Sequence, residues 1–238
     1  MSDWERPVRL AASLTLMLCA GCGLQEEPTA APSVIASGDG ETVSQGDAHS
    51  QSRQPPSGVA QQNIGFKNGS GDRLYEIKFK DDGAKLVDPD EQELARFTVS
   101  GRKLKIKLPD DSVVGWVTSE SDGLELRGND GKTELFDLKR QPDGDWKLKT
   151  ADETLLAVLK KRDYGYEIED GQETSLFKAR LKGGKASLRD AADTTVMYTK
   201  DPIPTLCVAI LGLEQIELLP LRAGLSAAVL LLTNEESQ

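Results

Sequence analysis

Histidine is almost absent from this sequence of 238 residues, and its scarcity excludes several kinds of chemistry. The only histidine, His49, lies in a polar stretch rich in Gly, Ser and Gln. The rest of the chain therefore offers no imidazole base for Ser-His-Asp or Cys-His catalysis, and it lacks the commonest metal ligand. We expect no catalytic residue, no metal site and no cofactor.

Cysteine and positive charge are also in short supply. Three cysteines, Cys19, Cys22 and Cys207, are too few for a disulfide framework. Cys207 stands alone in an apolar segment, where we expect a small buried side chain. The 39 Asp and Glu residues outnumber the 29 Lys and Arg residues, so the composition does not indicate nucleic-acid binding.

Residues 1–21 have the order of a secretory signal. Arg6 and Arg9 precede a short apolar core that is followed by small residues, and this core is shorter than the roughly 20 residues that span a bilayer. The sequence Leu18-Cys19-Ala20-Gly21-Cys22 resembles a bacterial lipobox, although Cys19 stands where the lipobox prefers leucine. The resemblance implies cleavage before Cys22 and a lipid anchor on Cys22. A plain cleaved signal and an uncleaved anchor are the alternatives.

Residues 22–63 are rich in Gly, Ser, Pro and Gln and carry few large apolar side chains. Such a composition predicts a disordered tether with a reach of roughly 35 Å. Its Gln54-Pro55-Pro56 run is either plain spacer or a polyproline segment that docks a partner. Gly23 after the lipobox cysteine resembles the sorting signal for outer-membrane lipoproteins. We therefore expect the protein in the cell envelope, at the outer membrane or its periplasmic face.

Residues 64–201 alternate apolar and polar side chains in short runs that turn-forming Asp, Asn and Gly residues separate. The pattern predicts antiparallel strands with one buried and one wet face. Six runs start 20 to 29 residues apart, and each is followed by a turn and a second strand, which indicates an internal repeat. The runs are Tyr75-Ile77-Phe79, Leu104-Ile106-Leu108, Leu124-Leu126, Trp146-Leu148, Tyr166-Ile168 and Ala186-Leu188.

The C-terminal segment Ile203–Leu232 is the longest apolar stretch of the chain. Its first eleven residues are apolar on every side of a helical wheel, which is typical of a buried helix. Glu214, Glu217 and Arg222 argue against a membrane span, and Pro220 kinks the helix or opens a second one. A meander of about twelve strands is too many for an open twisted sheet and should split or close, and closure around the apolar tail also covers that tail. We predict a mainly β domain over residues 64–238, an antiparallel meander barrel that encloses a C-terminal apolar helix, 203–232.

Such an arrangement resembles the tubby C-terminal domain, the LURP-one-related proteins and the phospholipid scramblases. Three segments are similar to the opening strands of that family: Tyr75-Glu76-Ile77-Lys78, Leu86-Val87-Asp88 and Leu94-Ala95-Arg96-Phe97. The resemblance implies a barrel around a central helix, and tubby domains bind phosphoinositides through basic residues. The family's functional residues have no counterpart that can be matched in this sequence.

Several surface residues are candidates for binding. Lys103, Lys105 and Lys107 share the wet side of one strand and either contact anionic lipid headgroups or form a solvated face. Trp116 and Trp146 either stack on a ligand or pack in the core. The acidic clusters at Asp88–Glu91 and Asp110-Asp111 lack the spacing of a calcium loop, and hairpin turns need Asp for their own hydrogen bonds.

These observations predict a lipid-anchored envelope protein that is not an enzyme. It would be a binding or structural module, attached to the membrane through Cys22, with a lipid or an envelope protein as partner and no nucleic acid. A lipid-binding or lipid-transferring protein of scramblase-like type is the alternative. A carboxylate-only hydrolase would need paired acidic residues in a cleft, and no spacing in the sequence indicates such a pair.

Overall fold

A computed structural model describes residues 63–232, so Cys22, the signal segment and the predicted tether lie outside the described residues. The described residues all belong to one compact unit. Fourteen antiparallel strands close into a barrel in which each strand pairs with its neighbours in sequence and β14 pairs with β1. The strands are β1 (Ile64–Lys67), β2 (Arg73–Lys80), β3 (Gly83–Val87), β4 (Glu93–Ser100), β5 (Lys103–Lys107), β6 (Val113–Ser119), β7 (Gly123–Arg127), β8 (Glu134–Arg140), β9 (Trp146–Thr150), β10 (Leu155–Arg162), β11 (Gly165–Asp170), β12 (Ser175–Lys182), β13 (Lys185–Asp190) and β14 (Thr195–Thr199).

The mainly β meander barrel is confirmed, but the expected number of about twelve strands is too low. The six alternating runs lie in β2, β5, β7, β9, β11 and β13. The longer first repeat holds both β3 and β4, and the remaining addition is β1. With only four residues, β1 is too short to show a period of two, and its pairing with β2 and β14 identifies it as a strand.

The barrel has two ends that differ in their turns. At the distal end lie seven turns of four to six residues, at 68–72, 88–92, 108–112, 128–133, 151–154, 171–174 and 191–194. At the proximal end β1 begins, and the turns there lie at 81–82, 101–102, 120–122, 141–145, 163–164 and 183–184. The chain N-terminal to Asn63 therefore joins the barrel at its proximal end.

The C-terminal segment forms two helices, so the prediction of one helix over 203–232 is wrong in its continuity. Helix α1 (Thr205–Leu211) ends at Gly212, and α2 (Leu219–Leu232) follows after a loop at the distal end. Pro220 is the second residue of α2, in the first turn where proline tolerates the helix geometry. The alternative that Pro220 opens a second helix is therefore confirmed.

Both helices lie inside the barrel and complete its core. Helix α1 packs against β11, β12 and β13, whereas α2 packs against β3 to β7. The segment Cys207–Ile210 is fully buried, and so are Leu225, Ala227 and Ala228 in α2. A Cβ atom added at Gly224 would lie 2.4 Å from Cδ1 of Ile106 on β5. The helices thus fill the lumen to van der Waals contact.

Candidate binding surfaces

The lumen offers apolar packing and an inert thiol rather than a reactive group. Cys207 on α1 is fully buried and forms no disulfide. Burial raises the pKa of its thiol to about 12, even though a hydrogen bond with Ser226 on α2 works in the opposite direction. A thiol with such a pKa stays protonated at neutral pH and is a poor nucleophile. The expectation that Cys207 is a small buried side chain is confirmed.

Two polar contacts near the distal end join β2 to β14 and α2 to the end of α1. The Tyr75 hydroxyl donates a hydrogen bond to Sδ of Met197 at 2.8 Å, and Nη1 of Arg222 donates to the carbonyl oxygen of Leu211 at 3.3 Å. Burial raises the pKa of Tyr75, and the charge of Arg222 partly opposes this shift. Tyr75 therefore stays neutral, and the Arg222 hydrogen bond holds the start of α2 against the end of α1.

The three candidate lysines lie on the outer face of β5, as the alternation predicted. Lys103 is exposed, whereas the Nζ atom of Lys105 lies 4.4 Å from the ring centre of Trp116 on β6. Nζ of Lys107 lies 3.5 Å from Oδ1 of Asp111 in the next turn. Two of the three ammonium groups are therefore engaged within the protein, and Lys103 is the one that faces solvent.

Trp116 and Trp146 occupy different environments, which the sequence did not distinguish. Trp146 is partly buried and packs against the core, in agreement with one of the two expectations. Trp116 points outward, where its ring carries the Lys105 ammonium group and lies close to Gly131. Trp116 thus lies on the outer face of the barrel in a cation–π contact with Lys105. It is neither a core residue nor part of an open stacking surface.

A surface depression of about 250 Å³ lies beside β3 and β4, next to the turn at 81–82. Its lining includes Lys80, Asp82, Lys85, Arg96 and Thr98. Lys85 pairs with Glu93, and Arg96 pairs with both Glu93 at 2.8 Å and Asp111 at 3.2 Å. Burial raises the pKa of Glu93, but hydrogen bonds and charge from Lys85 and Arg96 outweigh burial, so the pKa is lowered. The depression is cationic but largely neutralised.

Strand register, which sequence reasoning missed, brings basic side chains together on the outer face beside this depression. Lys78 pairs with Lys85, Lys85 with Arg96, and Arg96 with Lys107, so four basic side chains from β2 to β5 form one row across the barrel. The alternation places each of these residues on the outer face. Only the pairing shows that they are neighbours, because a shift of one residue would separate them.

Carboxylates at the distal end stabilise the turns in which they lie. Oδ1 of Asp88 accepts hydrogen bonds from the N–H groups of Asp90 and Gln92 at 2.9 and 2.8 Å. Oδ1 of Asp110 likewise accepts from the N–H group of Ser112 at 3.0 Å. Within residues 63–232, no group of three or more His, Cys, Asp or Glu side chains is arranged to hold a metal ion. The turn interpretation of Asp88 and Asp110 is confirmed.

Comparison with known proteins does not identify a family for this chain. No protein-family model matches the chain, and a search of curated proteins found no match. Among solved structures, the X-ray structure of a protein from Arabidopsis thaliana is similar, with a TM-score of 0.37 and 12% sequence identity. The match covers 65% of this chain and 90% of that chain. A likeness of this size does not establish a shared family.

None of the helices between residues 63 and 232 combines the length and the apolar character that a membrane span requires. Helix α2, the longer of the two, has 14 residues, and a span takes about 20.

Proposed function

We propose that this protein is a lipid-anchored, non-catalytic binding module of the cell envelope, attached through Cys22. The supporting observation is the filled lumen. Both helices are packed against the inward side chains of the strands, and the inward groups are apolar apart from a few hydrogen-bonded polar ones. A barrel without an internal site has only its outer surface and its two ends for a partner.

The alternative, a lipid-transferring barrel that lodges acyl chains, receives less support from the packing. A Cβ added at Gly115 would meet Cδ2 of Leu221 at 2.8 Å, and one added at Gly212 would meet Cδ1 of Leu188 at 2.9 Å. Where one methyl group has no room, an acyl chain cannot enter unless a helix leaves. We therefore favour binding at the surface over carriage inside the barrel.

The proposed relationship to the tubby, LURP-one-related and scramblase group rests on the closed antiparallel barrel around C-terminal helices. Fourteen strands and two enclosed helices differ from the twelve strands and single helix that the resemblance implied. Contact of Lys103, Lys105 and Lys107 with anionic lipid belongs to the same proposal. It receives its best support at Lys103, since Trp116 and Asp111 engage the other two.

The anchor is tested by metabolic labelling with an alkyne analogue of palmitate in a bacterial host, followed by membrane fractionation. We expect the full-length chain to incorporate the label and to sediment with membranes. Cys22→Ala should abolish the label, whereas Cys19→Ala, its matched control three residues away, should retain it. Equal labelling of the Cys22→Ala variant, or no labelling of any form, would contradict lipidation at Cys22.

The binding partner is tested by photo-crosslinking the full-length protein in intact membranes and by native mass spectrometry of the purified protein. Crosslinks to one envelope protein would support the module, and they should be lost when the crosslinker stands at a buried position such as Leu104. A stoichiometric lipid that remains on the barrel after detergent exchange would instead support the lipid-transferring alternative.

A further inference from the structure

Two hairpin tips stand side by side at the proximal end, between β10 and β11 and between β12 and β13. The N–H group of Leu181 donates a hydrogen bond to the carbonyl oxygen of Tyr164 at 3.0 Å, which fixes the tips to one another. Gly183 and Gly184 form the second tip, and a Cβ added at either would meet nothing within 4 Å. The tips therefore form one projecting edge with open space around it.

The edge combines an exposed apolar side chain with basic neighbours. Leu181 is 55% exposed, the largest fraction among the three exposed large apolar side chains within residues 63–232. Lys161, Arg162 and Lys182 are exposed beside it, and Lys185 is half-buried. Exposed apolar side chains with lysine and arginine around them are typical of segments that lie in the interface of an anionic bilayer.

The charges of the edge are not balanced within the fold. Lys182 and Lys185 lie directly opposite each other in the register of β12 and β13, and like charges in that position oppose folding. Arg162 pairs with Glu167 at 3.2 Å, and Asp163 is the acidic residue of the first tip. None of the ion pairs found between residues 63 and 232 includes Lys161, Lys182 or Lys185. Nζ of Lys161 lies 4.7 Å from the ring centre of Tyr166 and Nζ of Lys185 lies 4.5 Å from that of Tyr198, but neither ring carries a charge that would neutralise them. An external anion would relieve the repulsion between the paired lysines.

The distal end has the opposite character and supplies an internal comparison. Leu218 is exposed there to 53%, almost the same fraction as Leu181. Its neighbours Glu214 and Glu217 are exposed carboxylates, and the seven distal turns carry a single basic residue, Lys132. An anionic membrane would repel this end, so exposure of a leucine alone does not define the edge.

We propose that the proximal edge, formed by Lys161, Arg162, Leu181, Lys182 and Lys185, docks on an anionic phospholipid surface and orients the barrel on the membrane. This inference rests on the proposed lipid anchor, because the chain that contains Cys22 joins the barrel at this same end. Leu181 enters the interfacial region, and the lysines contact headgroup phosphates. The acidic distal end then faces away from the membrane and stays free for a partner.

Vesicle co-sedimentation of the fragment Gln51–Gln238 tests the edge without the anchor, because this fragment contains every described strand and helix and lacks Cys22. The probe is a vesicle of equal parts phosphatidylglycerol and phosphatidylcholine, compared with pure phosphatidylcholine at low ionic strength. A basic residue near a charged bilayer contributes about 1 kcal/mol, or about fivefold in affinity. We expect binding to anionic vesicles only, a loss of roughly tenfold or more in Lys182→Gln/Lys185→Gln, and a several-fold loss in Leu181→Ser.

Two control variants decide where the contact lies. Leu218→Ser removes an equally exposed leucine from the distal end and should bind as the unaltered fragment does. Lys103→Gln/Lys105→Gln/Lys107→Gln changes the outer face of β5, where only Lys103 faces solvent, and it should lose less affinity than Lys182→Gln/Lys185→Gln. Circular dichroism and the urea midpoint confirm that each variant is folded.

The proposal that the proximal edge docks on the membrane would be wrong if the unaltered fragment did not bind anionic vesicles. It would also be wrong if Leu218→Ser lost as much affinity as Leu181→Ser, or if only the β5 variant lost binding. None of these outcomes bears on acylation of Cys22, which the palmitate experiment measures separately. Failure of the edge and failure of the anchor are thus distinguishable.

Discussion

Substitution of Gly224 by alanine sets two effects of known size against each other. In a helix interior, alanine is more favourable than glycine by about 0.8–1.0 kcal/mol. The added Cβ, however, would lie 2.4 Å from Cδ1 and 2.9 Å from Cγ1 of Ile106, a side chain with no solvent exposure. Overpacking of a filled core costs about 1–3 kcal/mol. Because the steric cost is the larger effect, we expect Gly224→Ala to lower the free energy of unfolding by about 1 kcal/mol.

The same substitution should behave differently once Ile106 is shortened. Ile106→Val removes Cδ1, the nearest atom, and by itself costs about 0.5–1.5 kcal/mol. In the Ile106→Val background we expect the cost of Gly224→Ala to fall by about 1 kcal/mol, which leaves the helix preference for alanine to offset the remaining contact. Ile168→Val is the matched control, because Ile168 lies beside Gly212 and α1 and should show no coupling to Gly224.

Urea unfolding of the fragment Gln51–Gln238, followed by the fluorescence of Trp116 and Trp146, measures all six forms: the unaltered fragment, the three single variants and the two double variants with Gly224→Ala. The coupling free energy comes from the double-mutant cycle, with the slope of each transition checked for constancy. Stabilisation by Gly224→Ala in the unaltered background would refute the reasoning. Such a result would mean that Gly224 on α2 does not pack tightly against Ile106, and that alanine acts only through its higher helix propensity.

Three other perturbations test different parts of the structure. The Cys207 thiol, with its pKa of about 12, should resist iodoacetamide at pH 8 in the folded protein and react fully in urea, so rapid labelling of the native state would show that α1 is accessible. Hydrogen bonds from Thr133 and Lys132 lower the pKa of Asp130 to about 2, so its stabilisation is present above the unfolded pKa near 3.9 and is lost as the pH falls through 2. Asp130→Ala should therefore lower the free energy of unfolding at neutral pH. The difference in this free energy between the variant and the unaltered protein should become smaller between pH 4 and pH 2, and a constant difference would contradict this assignment. Asp201→Ala removes the carboxylate that accepts a hydrogen bond from the Gly65 N–H group at 2.8 Å, beside the single β1–β14 register pair. The substitution should lower the free energy of unfolding by about 1–3 kcal/mol and speed hydrogen exchange in β1. Unchanged exchange in β1 would contradict a role for Asp201 in closing the barrel between β1 and β14.

Periodicity alone was enough to predict most of the strands. In β5, Leu104 and Ile106 are fully buried while the lysines between them face outward, which is what an alternation of two dictates for a sheet with one wet face. The apolar tail was informative for a similar reason, since fifteen large aliphatic residues had to be covered by something. Closure of the meander around the tail followed from these two facts.

Other features depend on contacts between distant residues and left no local signal. The four residues of β1 are defined by their partners on β2 and β14. The row Lys78, Lys85, Arg96 and Lys107 depends on register, which alternation does not determine. The break between α1 and α2 lies at Gly212, eight residues before Pro220, where the chain turns at the distal end of the barrel.

The candidate surfaces could be predicted only in part. Lys103, Lys105 and Lys107 share a face, as expected, but the engagement of Lys105 by Trp116 required the neighbouring strand. The alternation in β12 predicts that Leu181 points inward and is buried. Its side chain is exposed because it lies near the end of β12, beyond the packed helices. The exposure of a side chain at a strand end depends on how far the packed core extends along the barrel, and local sequence does not determine this distance.

Removal of the two helices tests most directly whether the barrel is built around its own C-terminal segment. The fragment that ends at Asp201 retains all fourteen strands but loses α1 and α2, and with them the side chains that fill the lumen. Urea unfolding followed by circular dichroism should show no cooperative transition for this fragment, against a single cooperative transition for Gln51–Gln238. A soluble fragment with a cooperative β-sheet transition at the same midpoint would contradict the claim.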